Sequence, residues 1–121
     1  MKNPRFALPS EETKPHRFVI YLPGCQADGQ PIPDIEKLAD ETARTLCGKF
    51  GGVTRYPATG YFESGDEAVQ KEGIHVLEFF CGREELNRED AFLWDLLSKL
   101  RTALKQESMA CSLDGRMTLI S

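Results

Sequence analysis

The chain has 121 residues, of which 40% are hydrophobic and 28% charged, and its formal net charge is −4. This length and composition predict one globular domain with a single hydrophobic core. The acidic balance argues against nucleic-acid binding, because phosphate contacts need clustered Lys and Arg, whereas the 15 basic residues are scattered. No segment has the long apolar run that spans a bilayer, so we expect neither a nucleic-acid nor a membrane partner.

Residues 1–16 contain three prolines and lack the apolar run of a signal peptide, which indicates a flexible amino-terminal arm ahead of a single domain at 17–121. We therefore expect a cytoplasmic protein. The four cysteines form no C-x-x-C pair, so a reducing compartment would keep them as thiols. They are Cys25, Cys47, Cys81 and Cys111.

The first two predicted elements are a strand and a helix. Residues 17–22 (RFVIYL) are apolar on both faces of the alternation, which is typical of a central strand. A loop rich in glycine and proline leads to Asp34, a predicted N-cap. From 35 to 50, apolar residues recur at three- and four-residue spacings, and Gly51 then ends the helix because glycine readily adopts the left-handed cap conformation.

A hairpin is predicted next. Residues 53–62 (VTRYPATGYF) favour a strand, but Pro57 removes a ladder donor, which is typical of an edge strand. After a polar turn, residues 74–81 (IHVLEFFC) are again apolar on both faces, as in a central strand. We expect these two strands to pair.

The carboxy-terminal part predicts a helix and a second hairpin. Asn87 is a predicted N-cap with Asp90 at the reciprocal capping position, and leucines continue as a helical stripe to 104. Two apolar runs then flank Asp114-Gly115, a strong hairpin signal because a type I′ turn needs positive φ at both central residues.

This order predicts an α+β domain, specifically a ferredoxin-like β-α-β-β-α-β sheet with an extra carboxy-terminal hairpin strand. Residues 50–62 (FGGVTRYPATGYF) and 106–120 (QESMACSLDGRMTLI) resemble segments of short uncharacterised bacterial proteins. The resemblance covers roughly the last two thirds of the chain. It implies the same ferredoxin-like fold and brings no established activity or catalytic residue.

Two helices cover only one face of such a sheet, yet the predicted central strands carry apolar side chains on both faces. A large apolar face left open in a monomer is a liability, and two-fold pairing of sheets would cover it. We therefore predict a binding or protein-interaction module that forms a homodimer through its open sheet face. Another protein partner or a small-molecule ligand would cover the same face.

An alternative is a small-molecule enzyme of the dimeric α+β barrel type. The loop after the first strand and the start of the third strand share one end of the predicted sheet, so Cys25 and His75 would approach each other. A thiol beside an imidazole becomes a nucleophilic thiolate, with Asp66, Glu67 or Glu72 orienting the ring. The competing interpretation is a small loop residue at Cys25 and a strand histidine that bonds a backbone group.

A second set of polar residues is a candidate ligand-binding site, with a helix cap and an edge strand as its structural alternative. The set comprises Thr54, Tyr56, Tyr61, Gln106, Glu107 and Ser108. The acidic turn between the predicted hairpin strands matches no known calcium loop, so we predict no metal site. The glycine-rich loop after the first strand lacks the Lys and Ser or Thr of a phosphate loop, and we predict no cofactor.

Overall fold

The structure is a computed structural model that describes residues 13–63 and 68–121. Within these residues the chain forms β1 (His16–Pro23), α1 (Ile35–Phe50), β2 (Thr54–Glu63), β3 (Val69–Cys81), α2 (Arg83–Arg88), α3 (Asp90–Ala103), β4 (Met109–Leu113) and β5 (Arg116–Ile120). None of the described helices is long and apolar enough to cross a membrane. Residues 1–12 of the predicted arm lie outside the described residues, and His16 is the first residue of β1.

The strands form one antiparallel sheet in the order β2-β3-β1-β4-β5. β1 is the middle strand and β3 lies beside it, which agrees with their apolar residues on both faces. β2 lies at one edge of the sheet, as Pro57 in its sequence predicted, since edge strands tolerate a residue that lacks an N–H. The predicted hairpin between β2 and β3 is present and pairs Thr54 with Glu78 at one end and Glu63 with Val69 at the other.

The α+β class is correct, but the predicted ferredoxin-like β-α-β-β-α-β order is wrong. The described residues contain three helices and a five-stranded sheet, in the element order β-α-β-β-α-α-β-β. Part of the difference arises after β3, where the Gly82 N–H donates to Glu85 Oε1 at 3.0 Å and starts α2 early. Asn87 therefore lies inside α2 instead of capping the following helix.

The helices cover one face of the sheet. Phe18, Ile20 and Leu22 alternate along β1 and belong to a single buried cluster. Every buried apolar residue of the described helices belongs to that same cluster. At its centre the Phe79 ring stacks on those of Phe18 and Phe50, with centroids 5.2 and 4.2 Å apart.

Backbone signals at helix and hairpin ends are mostly as predicted. Gly51 has φ 90° and its N–H donates to Cys47 O, so glycine ends α1. Asp34 is the N-cap residue of α1, as predicted, but its backbone is left-handed at φ 55° and its side chain makes no cap hydrogen bond. Asp114 and Gly115 have φ 51° and 83°, which matches the predicted hairpin turn.

The terminal hairpin is tied to the start of β1 by Asp114. One carboxylate oxygen accepts the Arg17 N–H at 2.8 Å, and the other is 2.8 Å from His16 Nδ1. These two donors, His16 first, lower the pKa of the Asp114 carboxyl. The carboxylate thereby joins β1 to the β4–β5 turn.

Candidate functional site

The second face of the sheet, which we call the open face, carries none of the helix-packed cluster. Strand alternation and register place on it Arg17, Val19, Tyr21, Thr54, Tyr56, Ala58, Ile74, Val76, Glu78, Phe80, Ala110, Ser112, Met117 and Leu119. Val19 and Val76 are buried at its centre, whereas Phe80, Met117 and Leu119 remain 46 to 61% exposed. The face therefore has an apolar centre with exposed side chains around it.

Polar side chains from β1, β2 and β3 form a hydrogen-bonded network on this face. Arg17 Nη2 donates to Glu78 Oε2 at 2.7 Å, and the Tyr56 hydroxyl donates to the same oxygen at 3.3 Å. Each contact joins adjacent strands, β1 to β3 and β2 to β3. The Arg17 hydrogen bond is the main reason that the pKa of Glu78 lies below its usual range. Glu78 is therefore a carboxylate at neutral pH.

Further polar groups extend the network in both directions. The Tyr21 hydroxyl lies 3.5 Å from the hydroxyl oxygen of Ser112, which is a buried residue. Thr54 pairs with Glu78 across the β2–β3 ladder. An open groove of about 510 Å³ lies beside this end of the sheet, and its lining includes Thr54, Glu78 and Phe80. A small molecule lying there would contact both the carboxylate and an aromatic ring.

Cys25 and His75, predicted as a pair, have different polar neighbours in the structure. His75 lies beside Arg55 and Glu36, and Cys25 lies beside Glu72. His75 pairs with Leu22 in the β1–β3 ladder and so lies on the helix-covered face. The Cys25 side chain interacts with Glu72, which alternation places on the opposite face. Burial, followed by the Glu72 carboxylate, raises the pKa of the Cys25 thiol, and this disfavours a thiolate nucleophile. Asp66 and Glu67 lie outside the described residues.

The six predicted ligand-binding residues fall in different places. Thr54 and Tyr56 lie on the open face, whereas alternation along β2 directs Tyr61 to the other side. Gln106 Nε2 donates to Cys25 O at 2.7 Å and to Leu104 O at 3.0 Å. This amide links the β1–α1 loop to the end of α3.

Glu107 and Ser108 follow Gln106 in the connection between α3 and β4. Gln106 fits the structural alternative of a helix cap, because its side-chain amide donates to the Leu104 carbonyl at the end of α3. The predicted set as a whole therefore contributes only Thr54 and Tyr56 to the open face.

Sequence reasoning did not predict that Arg17 and Glu78 are in contact. They are separated by 61 positions and meet only because β1 and β3 are neighbours in this register. The available signal was a charged residue within each of two largely apolar runs, residues 17–22 and 74–81. Such a pattern marks an unusual position but does not name its partner.

A second groove of about 430 Å³ lies between the start of α1 and the end of α3. Its lining includes Ile32, Leu38 and Leu104 together with the lysines Lys37 and Lys105. Two acidic residues, Asp34 and Glu41, also line it and balance the two lysines, so its electrostatics favour no one ligand class.

Comparison with known proteins identifies the fold. No protein-family model and no curated protein matches the chain. Among solved structures, it is similar to a phage SAM lyase in complex with S-methyl-5′-thioadenosine, with a TM-score of 0.63 and 15% identity over 88% of each chain. It is also similar to a phage SAM lyase in the apo state, with a TM-score of 0.62 and 16% identity over 95% of this chain and 92% of the other. At this identity the likeness shows a shared fold alone.

Proposed function

We propose that this protein is a small-molecule-binding domain that holds an adenosine-containing sulfonium or thioether ligand on its open face. The observation that carries the proposal is the Arg17–Glu78–Tyr56 network beside an open groove. The similar phage SAM lyase, which was solved with S-methyl-5′-thioadenosine, suggests the ligand class. The proposal includes a cytoplasmic location, where such metabolites occur.

The chemistry of the network fits such a ligand. Both contacts to Glu78 converge on Oε2, so Oε1 has no hydrogen-bond partner among the described residues. A carboxylate oxygen accepts ribose hydroxyls, and a carboxylate also attracts a sulfonium cation. Tyr56 and Phe80 offer partly exposed rings, which suit stacking with a purine.

Calorimetric titration with S-adenosylmethionine and with S-methyl-5′-thioadenosine tests the proposal. We expect the sulfonium compound to bind more tightly, because Glu78 is anionic. Glu78→Gln should weaken binding roughly tenfold or more, since a hydrogen bond to a charged group is lost. Tyr56→Phe should weaken it less, while Tyr61→Phe, on the same strand but the opposite side, should leave it unchanged. Absence of binding at millimolar ligand, or unchanged affinity in Glu78→Gln, contradicts the proposal.

Incubation of the protein with S-adenosylmethionine distinguishes a binding domain from an enzyme. After incubation with S-adenosylmethionine, chromatography would detect any S-methyl-5′-thioadenosine formed above the rate in buffer. Product that disappears with Glu78→Gln would identify an enzyme with this carboxylate in its site. Recovery of intact ligand would identify a binding domain.

Homodimerisation through the open face is the second candidate. It is favoured by the exposed apolar side chains of Met117, Leu119 and Phe80, which a second copy would bury. Light scattering should then give about twice the 13.6 kDa chain mass. Leu119→Lys should shift the protein to monomer, whereas Trp94→Lys, on α3, should not. A wild-type monomer at all concentrations would exclude this assembly.

A further inference from the structure

We propose that Arg55 and His75 form a binding site for a small carboxylate ligand, and that the Glu36 side chain occupies this site in the absence of ligand. The cluster lies between α1 and the helix-covered face of the β2–β3 hairpin. It is therefore separate from the open face and independent of the function proposed above.

The Glu36 carboxylate is hydrogen-bonded to Arg55 through one oxygen and faces His75 with the other. Arg55 Nη2 donates to Glu36 Oε2, and His75 Nε2 lies 3.8 Å from Glu36 Oε1. Arg55 Nη2 is also 3.3 Å from His75 Nδ1. Because an arginine nitrogen can only donate, His75 Nδ1 accepts in this contact, and Nε2 carries the proton that faces the carboxylate. Each carboxylate oxygen thus faces one nitrogen donor.

The two halves of the cluster differ in burial. The side chains of Arg55 and His75 are 28% and 15% exposed, whereas that of Glu36 is 75% exposed. Arg55 and His75 stand on paired strands, where Leu77 and Pro57 are their cross-strand partners. The donor pair is therefore fixed by the sheet, while the carboxylate reaches it from solvent on a flexible side chain. An exposed ion pair of this kind is weak and readily exchanged.

These features specify the ligand class. The bound group is a carboxylate with one oxygen hydrogen-bonded to Arg55 and the other facing His75, and an arginine donor matches this planar acceptor well. A ligand carboxylate would take the same two donors and release Glu36 to water. Competition from Glu36 reduces the fraction of molecules in which the site is free, and so weakens the apparent affinity.

The histidine resonances provide a direct measurement. The chain has two histidines, and His16, which contacts Asp114 at 2.8 Å, serves as an internal reference for His75. Ring resonances are followed by NMR during titration with malonate at constant ionic strength. We expect a saturable shift of His75 and no shift of His16. Inorganic phosphate, titrated in parallel, tests whether the site prefers a carboxylate.

Three variants test the role of each group. Glu36→Gln should bind malonate at least about threefold more tightly than wild type, because the competing charge is removed. Glu41→Gln, exposed on the same helix, removes an equal charge and should bind as wild type does. Arg55→Gln should weaken binding about tenfold or more. Circular dichroism verifies that each variant is folded.

Any of three results overturns the inference. The first is that Glu36→Gln binds malonate no more tightly than wild type, a test that depends only on an exposed residue. The second is that phosphate binds as tightly as malonate, which would make the site a general anion site. The third is that folded Arg55→Gln retains wild-type affinity. None of these results bears on nucleoside binding at the open face, so the two proposals fail separately.

Discussion

Gln106 offers a sharp test of whether the α3–β4 connection is structural or contacts ligand. Its side-chain amide donates to two backbone carbonyls, Cys25 O at 2.7 Å and Leu104 O at 3.0 Å. Gln106→Ala removes both donors and leaves two carbonyls that only water can satisfy. A backbone bond from Ala27 N–H to Lys105 O, at 3.1 Å, would remain to hold the β1–α1 loop.

The magnitude follows from the two bonds. Each net hydrogen bond contributes about 0.5–1.5 kcal/mol to the free energy of unfolding, so their sum is about 1–3 kcal/mol. Gln106 is only half-buried, and water reaches part of the vacated site, so we expect about 1–1.5 kcal/mol. For a domain of this size that corresponds to roughly 3–6 °C in Tm.

Urea unfolding monitored by circular dichroism measures this change. Glu107→Ala is the matched control, because Glu107 is exposed and its side chain makes no hydrogen bond in the described part of the chain. We expect that variant within about 0.5 kcal/mol of wild type. Hydrogen exchange at the Ala27 amide should quicken in Gln106→Ala if the loop loosens locally.

Two results would refute the reasoning. Stability of Gln106→Ala within about 0.3 kcal/mol of wild type would mean that the two bonds make no net contribution. Loss of ligand affinity at unchanged stability would instead return Gln106 to the predicted ligand-binding set.

Three further predictions concern the core and the titrating groups. Phe79→Leu should reduce the free energy of unfolding by roughly 1–2 kcal/mol in urea titrations, because its ring stacks on Phe18 and Phe50. Asp114→Asn should be less stable than wild type at pH 7; because the native pKa of Asp114 is lowered, this difference should disappear as acid titration passes below about pH 4 and through that native pKa. Burial raises the pKa of the Cys81 thiol to about 11, so wild-type stability should fall between roughly pH 9 and 11 in alkaline unfolding, and Cys81→Ala should lack that part of the slope.

Local elements could be predicted where one segment contains its own determinants. The apolar stripe of α1 and the glycine that follows it specify a helix and its end, because both act within a few residues. Asp114-Gly115 specifies a hairpin for the same reason, since positive φ is needed at two adjacent positions. Pro57 predicted an edge strand because its missing N–H is a property of one residue.

The predicted element order failed just after β3, at the start of the second helical region. Asn87 was the predicted helix start, but a helix already starts after Gly82, whose N–H donates to the Glu85 side chain. A break at Glu89 separates α2 from α3, so a short additional helix precedes the one helix that the sequence predicted in this region. The apolar spacing on which the prediction rested did not indicate the additional helix α2.

Only the tertiary structure determined which side chains are in contact across strands. The sequence by itself determined that β1 and β3 are interior strands and that apolar residues occupy both of their faces. It did not determine that His75 and Cys25 would have partners on opposite sides, because a shift of one residue in register exchanges the two faces. The Arg17–Glu78 contact likewise depends on strand pairing between residues far apart in the chain, which no local pattern encodes.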